Sequence, residues 1–229
     1  MKILSGGAAA AVVQGVEAEF EAASGSKVDG TFSAVGMMRD KVLAGTPCDL
    51  VILTPPLIAQ LISLGHVVDG SARSIGLVKT GVAVRSGEPH PVLKTRRDLA
   101  AALRAAKGIY FPDPEKSTAG IHFMNVLKGL GLEEELKASL RPYPNGATAM
   151  AEMARSDESN LIGCTQVTEI NYTVGVDLVD VLPQEFELAT DYTLGICTAA
   201  QNPAHAQLMA DLLTGPASAL IRKQGGFEF

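Results

Sequence analysis

The sequence predicts an α/β protein of two lobes, the second inserted into the first and joined to it by two crossing strands. Three observations carry that prediction. Short apolar runs recur, each followed by a turn rich in Gly, Ser, Thr or Pro and then by a helical period. The series runs twice, once from the first residues and again from about residue 95. Two extended apolar stretches, 76–85 and 192–198, sit where the chain would leave the first series and return from the second. Strand–helix alternation of this kind is the signature of a mostly parallel sheet with helices on its faces. The expected partition is residues 1–80 and 191–229 for lobe one and 81–190 for lobe two. Each lobe is expected to be a mixed, mostly parallel sheet flanked by helices, with a ligand cleft between the lobes.

In the first series Lys2-Ile3-Leu4-Ser5 reads as a strand, then Gly6-Gly7 as a turn. A helix follows over 8–23, with Val12, Val13, Val16 and Phe20 on one face and Gly25 suited to its left-handed end. Residues 28–33 read as a second strand leading through Gly36 into a helix over 37–44. Asp49-Leu50-Val51-Ile52-Leu53 is a buried strand ended by Thr54-Pro55-Pro56, with its helix over 57–64. In the second series Thr95-Arg96-Arg97-Asp98 has capping-box form and opens a helix to about residue 106. Gly108-Ile109-Tyr110-Phe111 is a strand, followed by Ser117-Thr118-Ala119-Gly120 and a helix through Leu127. Pro144-Asn145-Gly146 precedes a helix over 147–154, and Asn160-Leu161-Ile162-Gly163-Cys164 is a strand after which Thr165-Gln166 opens the next helix. Asn202-Pro203 is an N-cap and N1 pair that starts the terminal helices.

Composition excludes several function classes. The chain has 229 residues, 47% of them hydrophobic, enough for lobes of roughly 100 residues each with their own cores. Trp is absent, so those cores are built mainly from Ala, Val, Leu, Ile and Met. A net charge of −6 argues against nucleic acid as a partner, because counterion release needs a basic surface. A small anion remains open, since a few local donors can dominate a binding site whatever the global charge. Cys48, Cys164 and Cys197 show no C-x-x-C spacing, lie in or beside apolar runs and read as buried free thiols. No cluster of metal-ligating residues is evident, and neither a metal nor a cofactor is expected. Met1-Lys2-Ile3-Leu4 leads straight into a core strand, and no apolar run is long enough to cross a bilayer. As written, the sequence reads as a cytoplasmic monomer. If a signal peptide has been lost, a periplasmic protein with a transporter as membrane partner is expected instead.

The physical case for an anion site rests on helix starts. A helix N-terminus leaves about four N–H groups unpaired and carries partial positive charge, and in open α/β sheets these ends gather outside the carboxyl ends of the strands. The candidate ligand-binding residues at such ends are Ser5, Gly6, Gly7, Ser33, Gly36, Met37, Thr54, Lys116, Ser117, Thr118, Thr165 and Gln166. Each turn is equally readable as an ordinary cap. Arg39, near the start of its helix, could clamp a carboxylate with its guanidinium or pair with Asp40 or Glu17. Tyr192 could hydrogen-bond a ligand or pack on the crossing strand. Glu169 and Asp113 could act as bases, although a capping or solvated carboxylate is the commoner outcome. No catalytic residue is assigned.

Phe32-Ser33-Ala34-Val35-Gly36, then Leu43-Ala44-Gly45-Thr46-Pro47-Cys48-Asp49-Leu50-Val51-Ile52, resembles the first lobe of periplasmic molybdate-binding proteins. The stretches Leu127-Lys128-Gly129-Leu130-Gly131-Leu132, 206–213, Pro216-Ala217 and 223–227 extend the resemblance over essentially the whole chain. It implies the type II periplasmic-binding-protein-like fold, with lobe one built from both ends of the chain and lobe two from its middle. It also implies Ser side chains around an oxyanion. Here Ala8 stands near the place of one such Ser, the loop at Ser33-Ala34-Val35-Gly36 keeps one Ser of a run, and Cys164 stands where a Tyr often follows the strand. The implied function is a solute-binding protein that captures a small anion, with an organic carboxylate favoured over molybdate. The alternative is a cofactor-independent isomerase of the aconitate isomerase type, a kind of enzyme similar to molybdate-binding proteins. That chemistry would need a base near an acidic C–H and donors for the developing charge.

Overall fold

Strand β1 (Lys2–Gly6) opens the chain, and a single 3-10 turn, Gly7–Ala9, leads from it into helix α1 (Ala10–Ser24). The expected stripe is realised: Val12, Val13, Val16 and Phe20 are all buried, and Gly25 closes the helix at φ 68°. Strand β2 (Asp29–Ser33) feeds helix α2 (Val35–Leu43), and β3 (Leu50–Leu53), buried at every residue, feeds α3 (Pro55–Ser63). Pro55 sits in the first turn of α3, where its missing N–H costs nothing. The chain then enters β4 (Arg73–Arg85), longer than the stretch predicted from the sequence.

The computed structural model describes residues 1–229 and separates into two units, Met1–Val78 with Asp191–Phe229, and Lys79–Thr190. The outgoing division falls inside β4, two residues before the expected boundary. In the second unit α4 (Arg96–Ala105) starts with the capping box read from the sequence, Thr95 accepting from Asp98 N–H while the Asp98 carboxylate accepts from Thr95 N–H at 2.9 Å. Next come β5 (Gly108–Pro112), α5 (Thr118–Leu130), β6 (Leu140–Tyr143), α6 (Gly146–Arg155), β7 (Leu161–Gln166), α7 (Val167–Asn171), β8 (Val176–Val181) and β9 (Ala189–Ile196). The sheet runs β6-β5-β7-β4-β8; β5 is parallel to β6 and β7, and β4 is antiparallel to β7 and β8. Alternation along β5 explains its two cores. Ile109 and Phe111 join Leu99, Leu103, Phe123 and Leu127 on one face, whereas Tyr110 joins Met150, Met153 and Ile170 on the other. Each large apolar side chain buried this way contributes about 1.5–3 kcal/mol against solvent exposure.

The chain returns to the first unit within β9 and ends with α8 (Pro203–Thr214), α9 (Pro216–Gly225) and the two-residue strand β10 (Phe227–Glu228). The sheet of this unit runs β2-β1-β3-β9, with β1 parallel to both neighbours and β9 antiparallel to β3, while β10 pairs with Leu77 and Val78 of β4. Helix α1 packs against α8 and α9; Phe20 meets the His205 ring edge-on, and Ile221 fills the space over Gly15. Register aligns the strand ends that matter for function. Gly6 lies opposite Ser33, and Leu53 lies opposite Thr193, so the turns after β1, β2 and β3 leave the same edge of the sheet.

Candidate anion site

In the first unit that edge gathers Gly6, Gly7, Ser33, Gly36, Met37, Thr54 and Tyr192. A side chain at Gly6 would place its Cβ 2.8 Å from Val35 Cγ1 and 2.9 Å from Tyr192 Cε1. Only glycine lets the turn after β1 lie this close to the start of α2 and the face of Tyr192. Tyr192 is itself buried and meets Phe227 edge-on at 6.3 Å, so packing is one of its roles.

The start of α2 is the chemically distinctive feature. Its N-cap residue is Ala34, at φ −59° and ψ 137°, and no side chain caps the helix. The first backbone bond of this helix runs from Met38 N–H to Ala34 O at 3.1 Å, which leaves the N–H groups of Val35, Gly36 and Met37 ahead of the ladder. Ala34 and Val35 are nonetheless buried, as is Gly36. A buried, uncapped helix start carries positive potential without an acceptor. The Gly7–Ala9 turn beside it also lacks a side-chain cap, and its Ala8 and Ala9 are buried.

The two serines expected to present hydroxyls donate them elsewhere. Ser5 Oγ donates to Gly6 O at 2.9 Å, and Ser33 Oγ donates to Met37 Sδ at 3.6 Å. Thr54 precedes α3 without capping it through its side chain. Arg39 takes the second of its two expected roles, with Nε 3.0 Å and Nη2 2.5 Å from Asp40 Oδ1. In this unit the main-chain N–H groups at the start of α2 have no side-chain cap, while the Ser5 and Ser33 hydroxyls and the Arg39 guanidinium are engaged within the chain.

The second unit treats its helix starts differently, because its own side chains fill them. Ser117 caps α5 by accepting from Gly120 N–H at 3.5 Å, and Thr118 is the first residue of that helix. The Asp113 carboxylate accepts from the N–H groups of Glu115 and Lys116 at 2.7 and 2.8 Å, an Asx turn rather than a base. Asn145 caps α6 by accepting from Thr148 N–H at 2.8 Å. The remaining donors at that end belong to Glu169. Its carboxylate accepts from Thr165 Oγ1 at 2.6 Å and from the N–H groups of Ala147, Gln166 and Gly146. Burial pushes this carboxyl above the ordinary range, against the opposing pull of those four donors. A Cβ on Gly146 would fall 2.0 Å from both Glu169 Oε2 and Thr165 Oγ1, so glycine is what admits the carboxylate.

Thr165 and Gln166 thus serve the interior: the first holds Glu169, and the second donates from Nε2 to Thr190 Oγ1 at 3.3 Å. Sequence reasoning named both positions without seeing that an internal carboxylate would engage them. It also passed over Thr80 and Thr168, whose buried hydroxyls have no partner, and it named the turn from Ser33 to Met37 without singling out Ala34 or Val35 within it. Two signals were present. Glu169 stands three residues after Gln166, the spacing with which a helix carboxylate reaches back to its N-cap N–H, and Ala34 is an N-cap residue with nothing to offer. His122, scattered from any partner in the sequence, bonds Phe186 O at 2.7 Å. A cavity of about 510 Å³ in this unit, lined by Val84, Pro89, His90 and Leu161, lies at the opposite end of β7 from these helix starts. The structure holds no group of three or more His, Cys, Asp or Glu arranged for a metal ion, and no helix long and apolar enough to cross a membrane.

Comparison with known proteins agrees with this architecture. A family model described as bacterial extracellular solute-binding protein matches residues 1–228. An aconitate isomerase of a Pseudomonas species is 23% identical, the match covering all of this chain and 87% of that protein. The molybdate-binding protein ModA of Escherichia coli strain K12 is also 23% identical, over 94% of this chain and 83% of its own. Among solved structures, the periplasmic molybdate-binding protein of Azotobacter vinelandii superposes with a TM-score of 0.82 at 16% identity, covering 100% of this chain and 99% of that one. These likenesses establish an α/β fold of the type II binding-protein kind.

Proposed function

The chain belongs to the bacterial extracellular solute-binding protein family, and from that premise we propose that its ligand is a small organic carboxylate rather than molybdate. The observation that carries this reading is the buried, uncapped start of α2 beside the glycine turn after β1. A carboxylate presents two oxygens in a plane, which a short row of N–H groups can satisfy. A tetrahedral oxyanion presents four, and the hydroxyls of Ser5 and Ser33 that would serve it are already donated within the chain. Where the protein is exported, a membrane transporter is its partner.

The test uses Val35. Replacing it with Pro deletes one N–H at the first helical position, where the ring is tolerated, and Ala34 already has the extended conformation that a following Pro demands. Val35→Ala keeps the N–H and controls for the lost packing. Titration calorimetry against di- and tricarboxylates, molybdate and sulfate should show a carboxylate binding best. Val35→Pro should then weaken it about tenfold or more relative to Val35→Ala, as expected for one hydrogen bond to a charged group. Tighter molybdate binding, or equal affinity in the two variants, would overturn the proposal.

The whole-length similarity to an aconitate isomerase favours one second reading, in which the bound carboxylate is turned over. Following the absorbance of cis- or trans-aconitate mixed with the protein decides it, and a flat trace removes it for that substrate.

A further inference from the structure

We propose that Cys48 and Cys197 form a reversible cross-link, closed by exchange with a small-molecule disulfide, that ties the two chain segments of the first unit together. The two residues come from segments far apart in sequence and meet at one end of the β3–β9 pair. Leu50 lies opposite Ile196, and Cys197 N–H donates to Asp49 O at 3.0 Å, which seats Cys197 beside the residue that follows Cys48. A second contact holds Cys197 in place, its antiparallel bridge to Val67. Both thiols are buried and free, Cys48 Sγ donates to Leu50 O at 3.1 Å, and each of the two sulfurs perturbs the other's protonation.

Their surroundings assign different roles. The neighbouring Cys197 draws the Cys48 thiol below its usual value against the opposing effect of burial, and the same contact pushes Cys197 up. Cys48 is therefore the attacking sulfur. Its thiolate displaces one thiolate from the disulfide reagent and forms a mixed disulfide. The Cys197 sulfur then displaces the second, and the two protons lost from Cys48 and Cys197 pass to the two departing thiolates. Two protein thiols are oxidised and one reagent disulfide is reduced. Cys164, buried in the second unit's core where burial alone raises its thiol, stays outside the reaction.

Because both sulfurs are buried, exchange proceeds through local opening, and urea below the unfolding transition should speed it. The experiment treats the full chain and its Cys164→Ser variant with oxidised glutathione, with and without such urea, and reads intact mass and a peptide map without reduction. The expected product has lost two hydrogen masses, carries a Cys48–Cys197 peptide pair and melts at a higher temperature than the reduced protein. Cys197→Ser should stop at a glutathione adduct on Cys48. Stable glutathione adducts on the unmutated chain without closure, a link to Cys164, or no reaction in the presence of urea would each overturn the proposal. A linked product that melts lower than the reduced chain would overturn the assignment of the link as a native tie.

Discussion

Replacing Thr165 by Val removes one hydroxyl and keeps the shape of the side chain. The structure fixes what is lost. Thr165 is fully buried, its Oγ1 lies 2.6 Å from Glu169 Oε2, and Glu169 is buried with it. A hydrogen bond to a charged group contributes about 1.5–3 kcal/mol, and one between neutral groups about 1 kcal/mol. With the carboxylate ionised, Thr165→Val should therefore cost about 2 kcal/mol, multiplying the unfolded fraction roughly thirtyfold. The cost should depend on pH in a known sense. Burial already raises the folded-state value of Glu169 above that of the unfolded chain, so this group's contribution falls as pH rises through the window between them. Removing a donor widens that window upward. The penalty should be near 1 kcal/mol at about pH 3, below the ordinary carboxylate range, and larger at about pH 8, since only an ionised Glu169 makes the bond a charged one. Urea unfolding of both proteins at the two pH values, followed by far-ultraviolet circular dichroism, measures it. A penalty below about 0.5 kcal/mol at the higher pH, or one independent of pH, would show that the carboxylate does not rely on this hydroxyl.

Gly146→Ala puts a methyl group 2.0 Å from two oxygens, and should destabilise the second unit by about 1–3 kcal/mol or more, seen as faster hydrogen exchange in α6 and α7. Arg39→Ala should leave urea stability within about 0.5 kcal/mol, because the pair with Asp40 is partly exposed, and should leave the carboxylate's thermal shift intact; loss of that shift would return Arg39 to the site. The Arg85 guanidinium, with the N–H groups of Asn160 and Leu161, holds the Glu88 carboxyl below its usual value. Its stabilisation is present above the unfolded-chain value and lost as pH falls through the folded one, so Glu88→Gln should flatten that part of the acid limb in a pH series of melting temperatures.

What the sequence made legible was whatever local chemistry decides. The α1 stripe is a matter of 3.6-residue spacing, the Thr95–Asp98 box of three-residue spacing, and both stand in the structure. Strands β6 and β8 were passed over for a physical reason. β6 is a four-residue edge strand containing Arg141 and Pro142, tolerated there because one side of an edge needs no ladder bonds. β8 also lies on an edge, and its Val176-Asp177-Leu178-Val179-Asp180-Val181 run has no fully buried face to sharpen the pattern. At the candidate site, glycine turns announced where backbone approaches closely. The partner of each turn was not announced, because it is chosen by tertiary packing. Nothing local to Asn145-Gly146 reveals that a carboxylate on another helix already occupies its donors, whereas the pairing of Arg39 with its neighbour Asp40 was one of the two readings open in the sequence.

The packing of α1 against α8 and α9 has a consequence for biosynthesis. A ribosome completes the first of these helices at residue 24 and the last at residue 225, so at about 5–20 residues per second the face of α1 that carries Gly15 and Phe20 waits roughly ten to forty seconds for its partners Ile221 and His205. The second unit, a single unbroken stretch from Lys79 to Thr190, emerges whole during that interval. Translation thus favours maturation of the middle of the polypeptide first, and leaves the earliest-made apolar helix as the segment that a chaperone would meet.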